Sequence, residues 1–305
     1  MPSCLHRIIV FAAVCLLAAP AAHAHEVALV LTQKGGAYGT FAEALAAAAG
    51  GRHRIELAGN LEDGVDAAVL ERAAVIVAAG APAMDEIARR GTRPTLGVLV
   101  GRSQFDGLRR DLPNARLSAI VLDQPAERHL ALVRAILPDA QRVGILFGPA
   151  SSSLAPAFGD AARSAGLALG GQHISTAGEL LPALERLLES SDALLALADP
   201  LVSGPTAART LLLTSYRYRR PVFAYSRAYV EAGALAAVFS TPEDAAREVA
   251  AWLDGAPRSG SPQLPDVRAP RGFDIAINRQ VARALGLEVP DNAGVLERLR
   301  GGNRP

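Results

Sequence analysis

Short apolar runs alternate with amphipathic or alanine-rich segments along the first 123 residues. Each run is too short for a typical helix and therefore predicts a buried strand. The five runs are Val27–Thr32, His53–Leu57, Ala74–Gly80, Pro94–Val100 and Ser118–Asp123. Between them, Thr40–Ala49 and Pro82–Arg90 are predicted as helices. Strands buried on both faces that alternate with helices predict a parallel sheet with crossover helices.

The same alternation starts again after a helix predicted over Pro125–Leu137, in which Leu130 and Val133 share one face. Pro138 and Asp139 end that helix. A second set of apolar runs then predicts further strands at Arg142–Gly148, Leu167–Ile174, Asp192–Asp199, Val222–Ser226 and Ala237–Ser240. The segments between them are predicted as helices or loops. This restart predicts a second lobe with its own sheet.

The last part of the chain predicts one more helix, a long connection and a final strand with its helix. Thr241 suits an N-cap, Pro242 suits the first helical turn, and Gly255 suits the end of that helix. Residues 256–272 are rich in Pro, Gly and Ser and have no periodicity, which predicts an extended surface connection. The final strand is predicted over Phe273–Asn278, and the final helix follows directly.

The first 24 residues have the pattern of a secretory signal peptide. Arg7 precedes an apolar run over Ile8–Ala19, and the segment ends on Ala22-His23-Ala24, which predicts cleavage before His25. Both cysteines of the chain, Cys4 and Cys15, lie inside this segment, and Cys15 is in the middle of the apolar run instead of at its end. We therefore expect a mature protein of the periplasm, with no disulfide, no lipid anchor and no membrane insertion.

Composition and motifs exclude several classes of function. Half of the residues are hydrophobic, which excludes a disordered chain, and a length of 305 residues suggests two domains. The formal net charge of +1 favours neither nucleic acid nor an anionic membrane surface as a partner. The histidines lack metal-site spacing, and neither a thiol outside the N-terminal segment nor a GxSxG motif occurs. We expect no metal, no cofactor, no catalytic residue and no enzyme activity.

Ligand-binding residues are expected in the loops at the carboxyl ends of the strands, where parallel sheets place their sites. The candidates are Tyr38, Gly80, Arg102, Asp199, Tyr225, Ser226 and Arg227. Tyr38 follows a glycine-rich loop and suits stacking on an apolar part of a ligand. Arg102 and Arg227 suit a carboxylate or phosphate, and Asp199 suits a ligand amine.

Four of these candidates also have a structural explanation. The glycine-rich loop before Tyr38 can be a turn that requires positive φ. An aspartate before proline, as at Asp199, often caps or turns the chain. Arg102 and Arg227 can be ordinary solvated surface groups. The sequence leaves these alternatives open. Arg227 is favoured over Arg102 as a site residue because Tyr225 and Ser226 lie beside it at the end of a predicted strand.

Several segments make the chain resemble the type I periplasmic binding proteins, and in particular the ABC-transporter substrate-binding proteins of the tryptophan and aromatic amino-acid type. The similar segments are LDQPAERHLALVRAILPDAQRVGILFGP, DALLALADPLV, RRPVFAYSRAYVEAGALAAVFSTPEDAAREVAAWLDG and FDIAINRQVARALGL. The resemblance implies an α/β protein of two Rossmann-like lobes with parallel sheets, a ligand cleft between them and closure about a hinge. It also implies that lobe 1 comprises residues 25–123 and about 241–272, and lobe 2 residues 124–240 and about 273–305.

The loops that would face the ligand depart from the family pattern. Val100 is followed by Gly101-Arg102-Ser103 where relatives usually carry a Thr-Asp-Pro type motif. Asp199-Pro200 stands where relatives often have Asp-Asn. These departures argue against simply transferring an amino-acid ligand to this chain.

The resemblance implies a solute-binding protein that traps a small polar or aromatic molecule and delivers it to an ABC permease of the inner membrane. Two alternatives remain at this stage. One is an exported sensing or accessory domain for a receptor or an outer-membrane uptake system. The other is an exported enzyme, since separated residues can converge in space.

Overall fold

A computed structural model describes residues 25–257 and 262–301. The predicted signal peptide lies outside these residues. Two six-stranded sheets, each covered by helices, form two lobes. This arrangement confirms the predicted α/β fold with two windings.

The first sheet contains the strands β1 to β6 in the spatial order β3-β2-β1-β4-β5-β6. These strands are β1 (Glu26–Leu31), β2 (Arg54–Asn60), β3 (Gly64–Val65), β4 (Val75–Ala79), β5 (Thr95–Val100) and β6 (Leu117–Val121). The helices between them are α1 (Gly36–Ala49), α2 (Ala67–Arg72), α3 (Ala81–Arg90) and α4 (Arg102–Asp111). All pairings are parallel except that of β2 with the two-residue edge strand β3.

The second sheet contains the strands β7 to β12 in the spatial order β12-β11-β10-β9-β7-β8. These strands are β7 (Arg142–Phe147), β8 (Ala168–His173), β9 (Ala193–Leu195), β10 (Val222–Ala224), β11 (Ala236–Phe239) and β12 (Asp274–Ile277). Between β6 and β11 lie α5 (Ala126–Ile136), α6 (Ala155–Ser164), α7 (Leu180–Ser190), α8 (Pro200–Ser203), α9 (Pro205–Arg217) and α10 (Arg227–Glu231). Short 3₁₀ turns at Ser152–Leu154 and Ala177–Glu179 precede α6 and α7. The pairing of β11 with β12 is antiparallel, so each sheet is mixed, and within the described residues each has one antiparallel edge strand.

After β11 the chain returns to the first lobe as α11 (Pro242–Gly255). Thr241 caps this helix, because its hydroxyl accepts from the Asp244 backbone N–H while the Asp244 carboxylate accepts from the Thr241 N–H. The apolar face of α11, which includes Val249 and Leu253, packs with Phe41 of α1 in one core. α11 therefore belongs to the hydrophobic core of the first sheet, although it follows the whole second winding in sequence.

The segment after α11 runs along the outer edge of the first sheet and then crosses to the second lobe. Arg268 pairs with Ile120 of β6 as an isolated bridge, and Trp252 donates from its indole N–H to the Gln263 carbonyl at 3.0 Å. Phe273 packs in the second lobe. The helices α12 (Arg279–Leu285) and α13 (Asn292–Gly301) follow β12 and complete that core.

Candidate functional site

A cavity of about 250 Å³ opens at the carboxyl edge of the second sheet, next to the crossings between the lobes. Its walls come from the end of β6 and the crossing that follows, from α5, from the chain around α6, and from the ends of β9, β10 and β11. The lining residues are Leu122, Asp123, Gln124, His129, Leu154, Phe158, Leu197, Ala198, Tyr225, Ser226, Arg227, Phe239 and Ser240. Three of the candidates from the sequence, Tyr225, Ser226 and Arg227, are therefore brought together here.

Arg227 provides a cation at this cavity. Its side chain is 56% exposed and lies 3.4 Å from the Asp274 carboxylate. The guanidinium carbon is 5.1 Å from the centre of the Phe239 ring, which also lines the cavity. Since an exposed ion pair contributes little stability, the guanidinium can exchange its carboxylate partner for an anionic ligand at small cost. Arg227 is thus held in place by an aromatic ring while remaining available.

Ser226 and Tyr225 are placed by local structure. Ser226 is the N-cap of α10, where its hydroxyl accepts from the Tyr229 backbone N–H at 3.3 Å. The Tyr225 ring lies 5.6 Å from the Tyr229 ring, and its hydroxyl is 3.4 Å from the Ser203 hydroxyl. The cap fixes the direction in which the chain leaves β10, and this direction brings all three consecutive side chains to the cavity.

His129 is a lining residue that the sequence did not single out. It lies on α5 and is only 3% exposed, with its ring 5.9 Å from the Phe158 ring. Burial lowers the pKa of His129 to about 4, and the neighbouring Arg128 guanidinium acts in the same direction. Within residues 25–257 and 262–301, its Nδ1 atom has no hydrogen-bond partner. The imidazole is therefore neutral at physiological pH and retains unused hydrogen-bonding capacity.

Asp199 is buried and makes its hydrogen bonds inside the second lobe. One carboxylate oxygen accepts from the backbone N–H groups of Ala150 and Ser151 at 3.0 and 2.9 Å, and from the Ser151 hydroxyl at 2.8 Å. The other oxygen accepts from the Leu201 N–H at 2.9 Å, which caps α8. These contacts join the loop after β7 to the loop after β9. Asp199 is not among the residues that line the cavity.

Tyr38, Gly80 and Arg102 lie on the first lobe and do not line this cavity. Gly80 has φ of 98°, and a Cβ there would lie 2.2 Å from the Thr32 hydroxyl and 2.8 Å from Tyr38 Cε1. The Tyr38 ring therefore packs directly over Gly80, which explains why this position has no side chain. Tyr38 follows β1 and Gly80 follows β4, and because these two strands are parallel, both residues lie at the same edge of the first sheet.

Arg102 is linked to the cavity through its backbone. Its side chain pairs with Asp106 at 3.0 Å on the surface of α4. Its N–H donates to the Asp123 carboxylate at 2.5 Å, and Asp123 lines the cavity. Burial raises the pKa of Asp123, and the hydrogen bond from Arg102 partly offsets this effect. The role of Arg102 seen here is to position Asp123.

A network of buried hydrogen bonds joins the three crossings between the lobes. The Gln124 amide donates to the Ser240 hydroxyl at 2.9 Å, and Ser240 donates to the Gly272 carbonyl at 2.8 Å. Arg128 donates to the Gln124 side-chain oxygen and to the Pro270 carbonyl, both at 2.9 Å. Because Gln124 and Ser240 also line the cavity, the crossings and the candidate binding site share residues.

Among the helices of residues 25–257 and 262–301, none combines the length and apolar character needed to cross a membrane. Likewise, no cluster of three or more His, Cys, Asp or Glu side chains suited to a metal ion occurs in that part of the chain.

Comparison with solved structures finds the same fold in proteins of low sequence identity. A conserved domain protein from Vibrio cholerae O1 biovar El Tor is 23% identical, with a TM-score of 0.57 over 90% of this chain and 98% of that one. An ABC domain in complex with L-Trp from Streptococcus pneumoniae is 17% identical, with a TM-score of 0.57 over 89% and 97% of the two chains.

A third similar structure is the ligand-free, open form of a substrate-binding protein with adhesive properties from Clostridium difficile. It is 18% identical, with a TM-score of 0.62 over 88% of this chain and 97% of that one. A comparison with curated proteins found no match. The sequence profile described as "ABC transporter substrate binding protein" matches residues 112–298. This match covers more than half of the chain, and the protein therefore belongs to the ABC transporter substrate-binding protein family.

Proposed function

We propose that this protein is the periplasmic solute-binding component of an ABC importer, and that it holds one small solute between its two lobes. The observation that carries the proposal is the cavity next to the crossings, where Tyr225, Ser226 and Arg227 meet hinge residues such as Gln124 and Ser240. The family supports a role in substrate binding. Export through the predicted signal peptide would place the protein where an importer requires it.

Binding in this proposal is a shift between open and closed lobes. The second lobe and the crossing after β6 form the cavity, and the loops that carry Tyr38 and Gly80 are the first-lobe surface expected to close over it. A solute that contacts both lobes stabilises the closed form by its difference in affinity for the two forms. Since Gln124 and Ser240 line the cavity and also bond across the crossings, a bound solute acts directly on the hinge.

Site variants test the placement of the solute. A thermal-shift screen of the mature protein against amino acids, nucleosides, sugars and organic anions identifies a solute, because a ligand above its Kd raises the Tm by mass action. Titration calorimetry with that solute is then expected to show roughly tenfold weaker binding for Arg227→Ala and for Tyr38→Ala.

The matched controls are Arg209→Ala and Tyr216→Ala, because both side chains are exposed and lie away from the cavity. We expect these controls to bind like the parent protein. If Arg227→Ala and Tyr38→Ala also bind like the parent protein, the proposed site is wrong.

Two measurements test the importer role. Small-angle X-ray scattering is expected to show a smaller radius of gyration when solute is added, because the lobes close. In cells, deletion of the gene is expected to abolish uptake of the radiolabelled solute, and restoring the parent gene is expected to recover it. Unchanged uptake in the deletion strain would contradict the importer role while leaving solute binding intact.

A further inference from the structure

The outer face of α9 is basic and partly apolar. From Arg209 onward its exposed residues are Arg209, Leu213, Tyr216 and Arg217, and a further exposed cation, Arg219, lies just beyond the helix. Residues three and four apart lie on one helical face, so Arg209, Leu213 and Tyr216 share a side of α9. Leu213 and Tyr216 are 57% and 59% exposed. We call these five residues the α9 surface.

The arginines of the α9 surface are not neutralised by carboxylates. Among the residues that the structure describes, Arg209, Arg217 and Arg219 form neither an ion pair nor a side-chain hydrogen bond. Residues 205–221 contain four arginines and no aspartate or glutamate. The guanidinium groups are therefore available to an anionic partner, and an exposed arginine does not have to break an existing ion pair to bind one.

Acidic residues of the neighbouring elements do not cancel this charge. α7 and α8 pack against α9, and these three helices with residues 218–221 carry five arginines and two glutamates, Glu185 and Glu189. Asp192 accepts from two backbone N–H groups at the start of β7, and Glu231 lines a separate opening between α10 and α12. This side of the second lobe is therefore locally cationic, although the formal net charge of the whole chain is only +1.

The backbone at Arg219 is a second, independent observation. Its φ is 56°, in the left-handed region where an L side chain is strained. The Arg220 N–H donates to the Ser215 carbonyl at 2.9 Å, so α9 ends in a Schellman motif, whose left-handed residue is usually glycine. The helix dipole favours Arg217 in the last turn, but it does not account for a strained cation after the helix. Arg219 thus keeps its charge at a conformational cost, which is common for functional residues.

The exposed apolar side chains favour a lipid surface as the partner. Leu213 and Tyr216 lie between Arg209 and Arg217, and a helix face of this composition is typical of helices that lie in the interface of an anionic bilayer. Tyrosine is enriched at that depth because its ring is apolar and its hydroxyl is polar. The face is also a ridge with protruding side chains, and a deformable layer of headgroups can accommodate such a ridge without a shaped pocket.

We infer that the α9 surface binds the anionic phospholipid headgroups of a bilayer, as a peripheral contact in which no helix crosses the membrane. Its residues do not line the solute cavity, so the inference goes beyond the proposed function and does not depend on any solute. The sequence predicts an exported protein without a lipid anchor. A weak contact of this kind would concentrate such a protein at the membrane surface.

The experiment is co-sedimentation of the mature protein with vesicles at low ionic strength. We expect binding to vesicles of equal parts phosphatidylglycerol and phosphatidylcholine, no binding to vesicles of phosphatidylcholine alone, and loss of binding when salt is added. The variant with Arg209→Gln, Arg217→Gln and Arg219→Gly is expected to bind at least about tenfold more weakly, because each cation near an anionic surface contributes roughly fivefold to affinity.

The matched control removes the same number of charges elsewhere. Arg110→Gln, Arg283→Gln and Arg298→Gln change exposed arginines of α4, α12 and α13, which pack in other cores than α9. This control variant is expected to bind the anionic vesicles like the parent protein. Equal weakening by the two triple variants would assign the binding to net charge and overturn the inference.

Arg219→Gly alone separates binding from folding. It removes the strained side chain, so its Tm is expected to be equal to that of the parent protein or higher, while its affinity for anionic vesicles falls by about fivefold. Absence of binding to the anionic vesicles would overturn the inference. Binding to soluble polyglutamate but not to vesicles would also overturn it and would indicate an acidic protein as the partner. Solute binding by the charge variant is expected to be unchanged, so these failures leave the proposed function intact.

Discussion

Asp199 allows a sharp test of whether a buried carboxylate at a strand end is structural or binds ligand. Its two oxygens accept four hydrogen bonds, from the Ala150 and Ser151 N–H groups, the Ser151 hydroxyl and the Leu201 N–H. Asp199→Ala removes all four acceptor contacts and leaves three backbone donors in a buried loop. An unsatisfied buried donor costs about 1–3 kcal/mol, and partial rearrangement of the loop reduces the sum. We expect a loss of roughly 3–5 kcal/mol.

Asp199→Asn is the more informative variant because it keeps the shape of the side chain. Its single oxygen can accept from Ala150 and Ser151, but its NH₂ group then faces the Leu201 N–H. The Leu201 N–H and the new NH₂ group are both donors and are left unpaired. We therefore expect the free energy of unfolding to fall by about 2–4 kcal/mol. The assay is urea unfolding followed by circular dichroism, with thermal unfolding as a check. For a mature chain of roughly 280 residues, the loss of about 3–5 kcal/mol expected for Asp199→Ala corresponds to a Tm lower by about 5–8 °C.

Solute binding by the same variants completes the test. The structural role predicts that Asp199→Asn, where folded, binds the screened solute within about threefold of the parent protein, since hydrogen bonds of ordinary strength to a ligand are worth more than this. Unchanged unfolding together with lost binding would refute this reasoning and support the ligand role considered from the sequence. Gly148→Ala gives an independent check, because its Cβ would lie 2.5 Å from the Asp199 carboxylate and is expected to destabilise the same loop.

Three further predictions follow from other contacts. Arg128→Met removes the donors that join two crossings and is expected to cost roughly 2–4 kcal/mol in urea unfolding, whereas the exposed Arg209→Met is expected to cost almost nothing. Gly80→Ala is expected to cost about 2–4 kcal/mol because its Cβ meets a hydroxyl at 2.2 Å, whereas Gly91→Ala, with φ of 64° but open space around it, is expected to cost about 1 kcal/mol. The pKa of His129 is about 4 in the folded protein, below the ordinary value of 6.5 in the unfolded chain. The unfolded chain therefore binds more protons between these values, and stability should fall by about 3 kcal/mol as pH falls from 6.5 to 4. His129→Leu should flatten that part of the stability curve, and an equal slope in parent and variant would contradict the assignment.

The fold was predictable because its strands are buried on both faces. The apolar runs such as Ala74–Gly80 and Arg142–Gly148 match β4 and β7 within a residue or two, and the restart after α5 predicted the second sheet. The same pattern could not predict the direction of β12 relative to its neighbour β11. Its pairing with β11 is antiparallel, and a short apolar run has the same pattern in either orientation.

The local sequence pattern also could not predict that the chain returns to the first lobe after β11. The caps of α11 follow from Thr241 and Pro242, but its packing against Phe41 of α1 is a contact between distant parts of the sequence. The family resemblance supplied that expectation. The division of residues 241–305 between the lobes remains our proposal, supported by the packing of α11 in the first core and of β12 in the second.

The sequence predicted the site residues that follow a strand, and it did not predict the one that lies on a helix. Tyr225, Ser226 and Arg227 were expected because they end a predicted strand, and they line the cavity. His129 was considered only as a metal ligand and set aside because no second histidine is suitably spaced. A signal was present, since His129 lies on the same helical face as Leu130 and Val133. A polar residue on a buried face requires a partner, and among the described residues the Nδ1 atom of His129 has none.

The late return of α11 has a consequence for the order in which the protein can fold during synthesis. Phe41 and Leu45 lie on α1, yet residues that cover them, such as Val249 and Leu253, are about 200 positions further along the chain. While only the first sheet and its helices have been synthesised, the apolar surface of α1 that α11 later covers is therefore exposed. The lobe made first is completed only after the other lobe has almost been made, so a nascent chain stopped before residue 242 should be recognised by chaperones that bind exposed apolar segments.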